Sequence, residues 1–282
     1  MVDGDDARAV DDFVPADAVA HRVVHGGELR EPTLIDDSLQ ERLEGLVELA
    51  PLHNRPAVDE IAKARRALPD IPHVAVFDTA FHATIPDEAA TYAVRQEWRD
   101  WGVRRYGFHG LSVQWASECV EVPRLVVCHL GGGCSVTAVR DGRSVDTTMG
   151  FTPLEGLPGA TRAGSVDPGA LLYLLRHGTS ADELDHMLEH ESGLAALGGL
   201  DDPLGFGVFT FRVAKAVAAM TASLRGLDAL VFTAGIGEHR PDVRAAVAGR
   251  LGYLGVGSRV PIHVVEAREE LVAARAARAL LS

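Results

Sequence analysis

The stretch from residue 124 to residue 164 constrains the fold of this chain more than any other. An apolar run at Arg124–Leu130 ends at three glycines, and a second strand pattern, Cys134–Arg140, follows them. Asp141-Gly142 comes next and is typical of a hairpin turn, because the central positions of such turns require positive φ. A third strand is predicted at residues 144–148. The stretch therefore predicts three consecutive strands joined by a glycine turn and a hairpin.

The glycine turn and an arginine behind it indicate the kind of chemistry. Consecutive glycines at a strand end let backbone N–H groups approach an anion closely, and such a backbone concavity suits phosphate. Arg162 follows in a Gly/Pro-rich loop with no apolar periodicity to explain it. The pattern predicts a site that handles a phosphoryl group. The alternative is an ordinary β-meander with a tight turn, since short glycine motifs often occur by chance.

Strand and helix patterns alternate over the rest of the sequence. Short buried strands are predicted at residues 18–24, 73–77, 227–233 and 262–265, with apolar residues at helical spacing between them. This alternation predicts an α/β fold with helices on both faces of a largely parallel sheet. The second half has the order β-β-β-α-β-α-β-α. Residues 1–12 are expected to form a frayed lead-in, residues 51–54 a loop, and residues 208–224 the longest helix.

Composition limits the classes of partner. The net charge of −13 argues against a nucleic-acid or anionic-membrane surface, although a few local arginines could still bind a small anion. The three cysteines lack CxxC spacing and do not predict a disulfide framework. The acidic start does not have the pattern of a signal peptide, and no run approaches the about 18 apolar residues of a membrane span. The expected location is the cytoplasm.

Nine segments, in order along most of residues 18–275, resemble the acetate kinase family of carboxylate phosphotransferases, which includes the propionate kinases. Agreement of so many separate loops is specific, whereas any one would be weak. The resemblance implies two actin/Hsp70/sugar-kinase-like α/β domains that close over a cleft, usually in a homodimer. The first domain is predicted at residues 1–79 plus 270–282 and the second at residues 80–269. The segments are HRVVHGG (21–27), ELAPLHN (48–54), VAVFDTAFH (74–82), RRYGFHG (104–110), DTTMGFTPLEGL (146–157), TRAGSVDP (161–168), SGLAALGG (192–199), DALVFTAGIGE (228–238) and REEL (268–271).

Transfer of a phosphoryl group to a carboxylate brings two anions together, so such a site needs fixed positive charge and hydrogen-bond donors. By resemblance, Arg22 and Arg162 would supply both, because each guanidinium presents a planar fork of donors. The structural alternative is a surface ion pair. Arg22 interrupts an apolar strand and Arg162 lies in a glycine loop, which favours the functional interpretation of both.

Four more polar side chains match the family's active site. His109 would hydrogen-bond the transferring phosphoryl group, and His53 would have a supporting role. Asp78 ends a predicted strand, where α/β sheets bind ligands, and would orient an arginine or lie near the metal. Glu269 matches the glutamate beside Mg²⁺, with the adjacent Glu270 as the alternative. A carboxylate at a helix start is also an ordinary stabilising feature.

The resemblance also assigns binding surfaces for the carboxylate and for ATP or ADP. An apolar slot for the methyl end of the acid would discriminate one methylene by only about 1–3 kcal/mol, so acetate and propionate are not distinguished. The slot would be lined by Val24, Leu52, Phe108 and Pro153. The nucleotide phosphates would face Gly131, Gly132 and Gly133, and the adenosine would face Gly235, Ile236 and Gly237.

The sequence departs from the family pattern in four places. Residues 1–14 contain no counterpart of the family's opening strand and polar glycine–serine loop, so the first domain is expected to be truncated, with a sheet edge left to cover. Gly132 replaces an asparagine of the phosphate turn, and Val113 replaces a second histidine. Residues 200–203 form a shortened loop without the family's arginine, and His239 replaces an asparagine on the same nucleotide side.

The leading hypothesis is a Mg²⁺-dependent acetate or propionate kinase that transfers the phosphoryl group directly and in line. The alternative is a catalytically weak or inactive homologue that binds a carboxylate, an acyl phosphate or a nucleotide, or acts as an oligomer partner. A nicotinamide oxidoreductase fails on glycine spacing, because GIGEHR at residues 235–240 lacks a third glycine. The expected partners are a small carboxylate or acyl phosphate, a nucleotide and a second copy of the chain, without nucleic acid or membrane.

Overall fold

A computed structural model describes residues 1–7, 16–49 and 51–282, and only the backbone of residues 49 and 51–53. The chain forms two compact units. Unit 1 comprises Met1–Ala83, Phe108–Trp115 and Arg268–Ser282, and unit 2 comprises Thr84–Gly107 and Ala116–Ala267.

The described strands and α-helices are numbered in chain order. The strands are β1 (Val2–Asp3), β2 (Asp6–Ala7), β3 (Val19–Val23), β4 (Thr33–Leu34), β5 (His73–Phe77), β6 (Arg124–Leu130), β7 (Cys134–Arg140), β8 (Arg143–Thr147), β9 (Ala229–Thr233) and β10 (Ile262–Val264). The helices are α1 (Asp37–Gly45), α2 (Pro51–Ala67), α3 (Asp87–Ala90), α4 (Gln96–Asp100), α5 (Gly110–Cys119), α6 (Pro168–Arg176), α7 (Ala181–His190), α8 (Pro203–Leu224), α9 (Ala234–His239), α10 (Pro241–Arg250) and α11 (Glu269–Leu281). Short 3₁₀ turns occur at Val47–Leu49, Ala80–Thr84, Ala195–Leu197 and Gly252–Leu254.

Unit 1 is built on a small mixed sheet in the order β3-β5-β4, in which β3 and β5 are parallel. Strand β5 is buried over its whole length, as its continuous apolar sequence predicts for a central strand. Its side chains alternate between two packed layers. Ala75 and Phe77 pack with the buried residues of α1 and α2, and Val74 and Val76 pack with Val272 and its neighbours on α11.

Unit 2 is built on a five-stranded sheet in the order β10-β9-β6-β7-β8. The pairs β10-β9 and β9-β6 are parallel, whereas β6-β7 and β7-β8 are antiparallel. Helix α8 buries Phe209, Val213 and Val217 in the same core as β6 and β9. Parallel β6 and β9 end at the same edge, which brings the loops that follow them together.

Among the described residues, one helix, α8, is long and apolar enough to cross a membrane, judged by length and composition alone. The sequence prediction concerned uninterrupted apolar runs, and Arg212 and Lys215 interrupt this one. The helix also begins at Pro203, earlier than predicted. Proline fits the first turn, where its missing N–H is not needed, and Asp202 accepts a hydrogen bond from the N–H of Leu204 at 2.7 Å.

The hairpin predicted at residues 141–142 is confirmed. Asp141 and Gly142 both have positive φ, of 50° and 74°, and connect antiparallel β7 and β8. The third strand ends at Thr147 rather than at residue 148. Strands β5, β6 and β7 have the bounds that the sequence indicated.

Two predictions for the first part of the chain are wrong. Residues 51–54 are helical rather than a loop, because Pro51 occupies the first turn of α2 and the helix continues through Pro56. Residues 1–7, expected to be frayed, form the β1-β2 hairpin, and Asp5 in its turn pairs with Arg275 of α11 at 3.0 Å. The rest of that prediction, residues 8–12, lies outside the described residues.

The two units differ from the predicted domain boundaries. Residues 80–83, 108–115 and 268–269 group with unit 1, although the sequence placed them in the second domain. The close approach of Gly110 to the backbone of Asp78 explains one part of this, since the N–H of Gly110 donates to the Asp78 carbonyl at 2.9 Å. The truncation expected for the first domain stays a prediction.

Candidate active site

Arg22 and Asp78 form the best-defined polar pair of unit 1. The guanidinium donates Nε to Oδ1 at 3.0 Å and Nη2 to Oδ2 at 2.7 Å, the two-pronged geometry that is strongest for an arginine and a carboxylate. The register explains it: Val23 pairs with Phe77 on parallel β3 and β5, so residues at their carboxyl ends meet. The Asp78 side chain is 1% exposed and that of Arg22 is 39% exposed. The buried carboxylate therefore holds the arginine in place while part of the arginine side chain faces solvent.

Glu269 contributes a second carboxylate to Arg22. Its Oε1 lies 3.6 Å from Arg22 Nη1, at the first residue of α11. Burial disfavours the charged guanidinium, but Asp78 and the glutamates outweigh it and raise the pKa of Arg22 above its usual value. Arg22 is thus charged throughout the working range. Of the two glutamates considered from sequence, Glu269 makes this ion pair, whereas Glu270 is exposed.

His109 lies in a strained backbone position next to Asp78. Its φ is +61°, a left-handed conformation that is uncommon outside glycine and often marks functional sites. The following Gly110 has no room for a side chain, because a Cβ there would be 2.1 Å from the Asp78 carbonyl oxygen. The loop is consequently fixed against the end of β5, and His109 is half-buried at the start of α5.

Phe108 is the apolar member of the same loop and is 1% exposed. His82 Nε2 donates to the Phe108 carbonyl at 2.9 Å, and the ring of His25 meets the Phe108 ring edge-on at 5.3 Å. Burial lowers the pKa of His82 to about 4, against the opposing effect of this hydrogen bond, so the imidazole is neutral at pH 7. Val24, which precedes His25, is half-buried.

Asn54 is a structural residue of this region that sequence reasoning missed. It is fully buried, accepts a hydrogen bond from the N–H of His25 at 3.0 Å, and returns one from Nδ2 to the His25 carbonyl at 3.0 Å. This reciprocal pair ties α2 to the loop after β3. The ELAPLHN motif ends at Asn54, but nothing in the sequence indicates its partner. The side chains of His53 and Leu52, predicted as catalytic and slot residues, lie outside the described residues.

The glycine turn of unit 2 packs against the arginine loop. The carbonyl of Gly132 accepts a hydrogen bond from the N–H of Ala160 at 2.9 Å, and Gly131 N–H donates to the Gly133 carbonyl at 3.0 Å. Gly159 must be glycine, since a Cβ would lie 2.6 Å from the Gly132 oxygen. The turn predicted to face phosphates and the loop that carries the predicted phosphoryl ligand are therefore neighbours.

The second predicted nucleotide segment lies beside the same turn. It forms the short helix α9 after β9, and it follows Ala234, a non-glycine residue with φ of +65°. A Cβ on Gly131 would be 3.4 Å from the Ala234 Cβ, whereas nothing lies within 4 Å of such an atom on Gly132 or Gly235. Open space thus flanks both glycine segments. Ile236 is half-buried and Gly237 is buried.

Arg162 is largely buried in unit 2 and lies near the end of the glycine turn. Its side chain is 13% exposed, and its Nε lies 3.1 Å from Oε2 of Glu189 on α7. Burial raises the pKa of the Cys134 thiol to about 12, and the Gly131 carbonyl contact and the charge of Arg162 both act in the opposite direction. The guanidinium is therefore close enough to act on the first residue of β7. Glu189 was not predicted from sequence.

Pro153, the fourth predicted slot residue, is buried in a loop held by a polar network of unit 2. Arg105 Nη2 donates to Glu155 Oε1 at 3.0 Å and Nη1 donates to the Met149 carbonyl at 2.9 Å. Tyr92 donates its hydroxyl proton to Glu155. Burial first, and this hydrogen bond next, raise the pKa of Tyr92 well above its usual value. Arg105 and Glu155 lie in recognised motifs, but their pairing was not foreseen.

The donors available for a magnesium ion are few. Among the described residues no three side chains of the His, Cys, Asp and Glu types cluster as a metal site. Mg²⁺ commonly takes only one or two protein carboxylates and completes its shell with phosphate oxygens and water. The partly buried carboxylate of Glu269, 17% exposed, fits that requirement as a single donor.

Comparison with known proteins gives one consistent family. The sequence profile of the Acetokinase family matches residues 9–276. The acetate kinase of Synechococcus sp. (strain JA-2-3B'a(2-13)) is 49% identical over 84% of this chain and 65% of its own length. The acetate kinase of Nostoc punctiforme is 44% identical over 91% of this chain and 69% of its own. The chain spans about two thirds of the length of these curated relatives.

Solved structures agree in fold. A propionate kinase from Francisella tularensis superposes with a TM-score of 0.87 at 36% identity, covering 92% of this chain and 78% of its own. The acetate kinase of Porphyromonas gingivalis gives a TM-score of 0.85 at 31% identity, covering 94% and 78%. The α/β class predicted from the sequence is confirmed. The protein belongs to the acetokinase family.

Proposed function

We propose that this chain is an acetate- or propionate-kinase-like phosphotransferase. A carboxylate oxygen attacks the γ-phosphorus of ATP and forms the acyl phosphate, while the bond from that phosphorus to the β,γ-bridging oxygen breaks and leaves ADP. No proton is gained or lost by either carboxyl oxygen. The chemistry therefore needs positioning and charge stabilisation more than an acid or a base.

The observation that carries this proposal is the two-pronged hydrogen bonding of Arg22 to buried Asp78, at the carboxyl ends of two parallel strands. Ligands of open α/β sheets bind at this edge. An arginine whose guanidinium is fixed by a buried carboxylate and whose side chain is still 39% exposed is suited to bind a substrate anion. His109, strained and adjacent to Asp78, would hydrogen-bond the transferring phosphoryl group. Such strain is maintained where the surrounding structure requires it.

The residues of unit 2 would serve the nucleotide and the developing charge. Arg162 would stabilise the transferring phosphoryl group, and Gly131–Gly133 would approach the phosphates with their backbone. Gly235, Ile236 and Gly237 would contact the adenosine. The open space beside Gly132 and Gly235 supports this assignment. Positive charge aimed at the equatorial oxygens of the transition state is the main source of rate in such reactions.

Mg²⁺ is proposed as the metal, and Glu269 would hold it. Asp78 would lie near this site, because Arg22 pairs with both carboxylates. When bound, it would neutralise charge on the nucleotide phosphates. Glu269 would then have two partners, the ion and Arg22, and its position at the first residue of α11 is consistent with both. Removal of the glutamate should raise the magnesium concentration needed for half-maximal activity, with a smaller effect on folding stability.

The acid would place its methyl end in a slot that includes Val24, Leu52, Phe108 and Pro153. Because a methylene changes binding by only about 1–3 kcal/mol, acetate and propionate are both proposed as substrates. A homodimer in the cytoplasm is proposed from the resemblance alone. The family relatives give no support to the non-catalytic alternative.

The decisive experiment traps acyl phosphate as a hydroxamate after incubation with MgATP and acetate or propionate. The wild-type protein should form product, and Arg22→Ala and Arg162→Ala should each reduce turnover by about 100-fold or more. Arg65→Ala is the matched control, since Arg65 pairs at the surface with an Asp37 carboxylate that is 94% exposed. Binding of nucleotide by a folded wild-type protein, with no product from either acid, would exclude the enzymatic proposal.

A further inference from the structure

The loop that carries Arg162 is fixed to the C-terminal end of α7. The N–H of Ala163 donates to the Leu188 carbonyl at 3.0 Å, and the Thr161 hydroxyl donates to the Glu189 carbonyl at 2.8 Å. The N–H of Ser192 donates to the Thr161 carbonyl at 2.9 Å. The backbone on both sides of the arginine is thus tied to one helix end.

Glu189 places a carboxylate in this buried junction. Its side chain is 14% exposed, and its Oε2 is 3.1 Å from Arg162 Nε. Within the described residues Oε2 has no hydrogen bond of good geometry, so the contact is an ion pair with imperfect alignment. A carboxylate in the last turn of a helix is also disfavoured by the helix dipole. A buried, poorly solvated acid at an unfavourable helix position requires an explanation.

We propose that Glu189 is a positioning residue for Arg162: it holds Nε so that the terminal amino groups of the guanidinium are presented to the substrate anion in one orientation. The inference rests on the proposed function of Arg162. The pair stays together during the reaction, because withdrawal of the arginine would leave a buried carboxylate uncompensated, which is strongly unfavourable.

This role predicts a split between the kinetic constants. Orientation of a charged donor matters most where charge develops, so its loss reduces transition-state binding more than ground-state binding. Glu189→Ala should lower kcat by about 10- to 100-fold while KM for the carboxylate and for ATP changes by less than about threefold. Glu189→Asp keeps the charge on a shorter side chain and should recover part of kcat.

The matched control is Glu191→Gln. Glu191 also lies at the end of α7, but its carboxylate is 61% exposed and pairs with His186 at 3.3 Å. This change removes a negative charge from the same helix end without touching Arg162. It should leave kcat and KM unchanged, and a loss equal to that of Glu189→Ala would show that charge at the helix end, rather than the contact, is responsible.

The pH profile gives a second test. Burial raises the pKa of Glu189, Arg162 opposes this, and Asp185 adds to it, while His190 acts in the direction of Arg162. As pH falls through this raised value, the carboxylate is neutralised and Arg162 loses its charged partner. The kcat of the wild type should therefore fall on the acid side. Glu189→Gln should have, at every pH, the low kcat that the wild type reaches after this fall, and should lack the step itself. An unchanged acid limb in Glu189→Gln would overturn the proposal.

A spectroscopic measurement separates failure of this inference from failure of the proposed function. With ¹⁵N-labelled arginine, the slowly exchanging Nε–H resonance that disappears in Arg162→Lys identifies Arg162. It should exchange with solvent at least about tenfold faster in Glu189→Ala and remain protected in Glu191→Gln. No phosphotransfer by the wild type would end the proposed function. An equally protected resonance in Glu189→Ala would overturn the role of Glu189, whatever the activity.

Discussion

The Arg22–Asp78 pair makes a prediction at the scale of single residues. Asp78→Asn keeps the shape of the side chain but removes one charge and one acceptor from a two-pronged contact. Because Arg22 is 39% exposed and stays partly solvated, the loss of stability should be moderate, about 1–2 kcal/mol. Activity should fall far more, by about 100-fold, since the arginine loses its fixed direction. Urea unfolding and the hydroxamate assay measure the two effects.

Asp37→Asn is the control for that change. Asp37 also pairs with an arginine, Arg65, at 2.9 Å, but it is 94% exposed. The same substitution there should cost less than about 0.5 kcal/mol and leave activity unchanged. If both substitutions had equal effects on activity, Asp78 would have no special relation to the site.

The sequence indicates candidate site residues more readily than the residues that hold them in place. Arg22 and Asp78 stand out because one interrupts an apolar strand and the other ends one. Their contact joins positions 56 residues apart, and that of His25 with Asn54 joins positions 29 apart. Such pairs depend on strand register and helix placement, which local spacing does not encode. Glu189 escaped notice for the same reason, since a glutamate near a helix end has the pattern of an ordinary surface residue.

At the scale of elements, the close packing of α5 on β5 predicts the result of a glycine substitution. A Cβ on Gly110 would lie 2.1 Å from the Asp78 carbonyl oxygen and 2.9 Å from the Phe81 Cβ, and neither neighbour is the end of a flexible chain. Gly110→Ala should therefore destabilise the protein by about 2–4 kcal/mol and displace His109, with loss of activity. Thermal and urea unfolding measure the first effect and the hydroxamate assay the second.

Gly207→Ala provides the matched comparison. Gly207 lies inside α8, and nothing is found within 4 Å of the position of an added Cβ. Alanine is better than glycine in a helix interior, so this change should stabilise the protein by about 0.5–1 kcal/mol without altering activity. Equal destabilisation at both positions would mean that the Gly110 contact is not what fixes α5.

The elements that the sequence predicted best are those with a complete local signal. The strand, glycine-turn and hairpin pattern over β6 to β8 contains its own boundaries, and it was recovered almost residue by residue. Residues 51–54 at the start of α2 were predicted as a loop because prolines such as Pro51 and Pro56 usually interrupt helices. Tertiary contacts of Asn54 hold the intervening turn in helical form. The start of α8 was misplaced because glycines at 205 and 207 weaken the helical pattern.

At the scale of the whole molecule, the chain contains two compact units with separate cores, each presenting part of the predicted chemistry. The predicted site residues Arg22, Asp78 and His109 belong to unit 1, and the glycine turn and Arg162 belong to unit 2. The sequence could predict this division from the family resemblance but not its bounds. Residues 108–115 lie far along the chain from β5, and tertiary contacts such as those of Gly110 with Asp78, Phe108 with His82, and Leu111 with the β5–α11 cluster place them in unit 1.

Buried histidines predict how the stability of unit 1 depends on pH. His73 Nε2 donates to the Leu68 carbonyl at 3.0 Å, so its Nδ1 accepts the proton of His21 Nε2 at 2.9 Å. Burial, with a contribution from His73, lowers the pKa of His21 to about 4, and burial lowers that of His82 to about 4. Both are therefore neutral in the folded chain at pH values where the unfolded chain, with a histidine pKa of about 6.5, already binds protons.

The free energy of unfolding should fall with pH over that interval. Above pH of about 6.5 both states are neutral at these positions and the histidines contribute nothing to the slope. Between pH values of about 6.5 and 4 each histidine should remove about 1.4 kcal/mol per pH unit from the free energy of unfolding, and His21→Gln should reduce the combined slope by about half.

Because two units need not unfold together, the measurement requires a local reporter. Replacing the exposed Trp98 and Trp101 by phenylalanine leaves Trp115, in unit 1, as the remaining one of three tryptophans. Urea unfolding followed by its fluorescence between pH 7.5 and 5 gives the slope, and an identical slope in His21→Gln would show that His21 is not the titrating group.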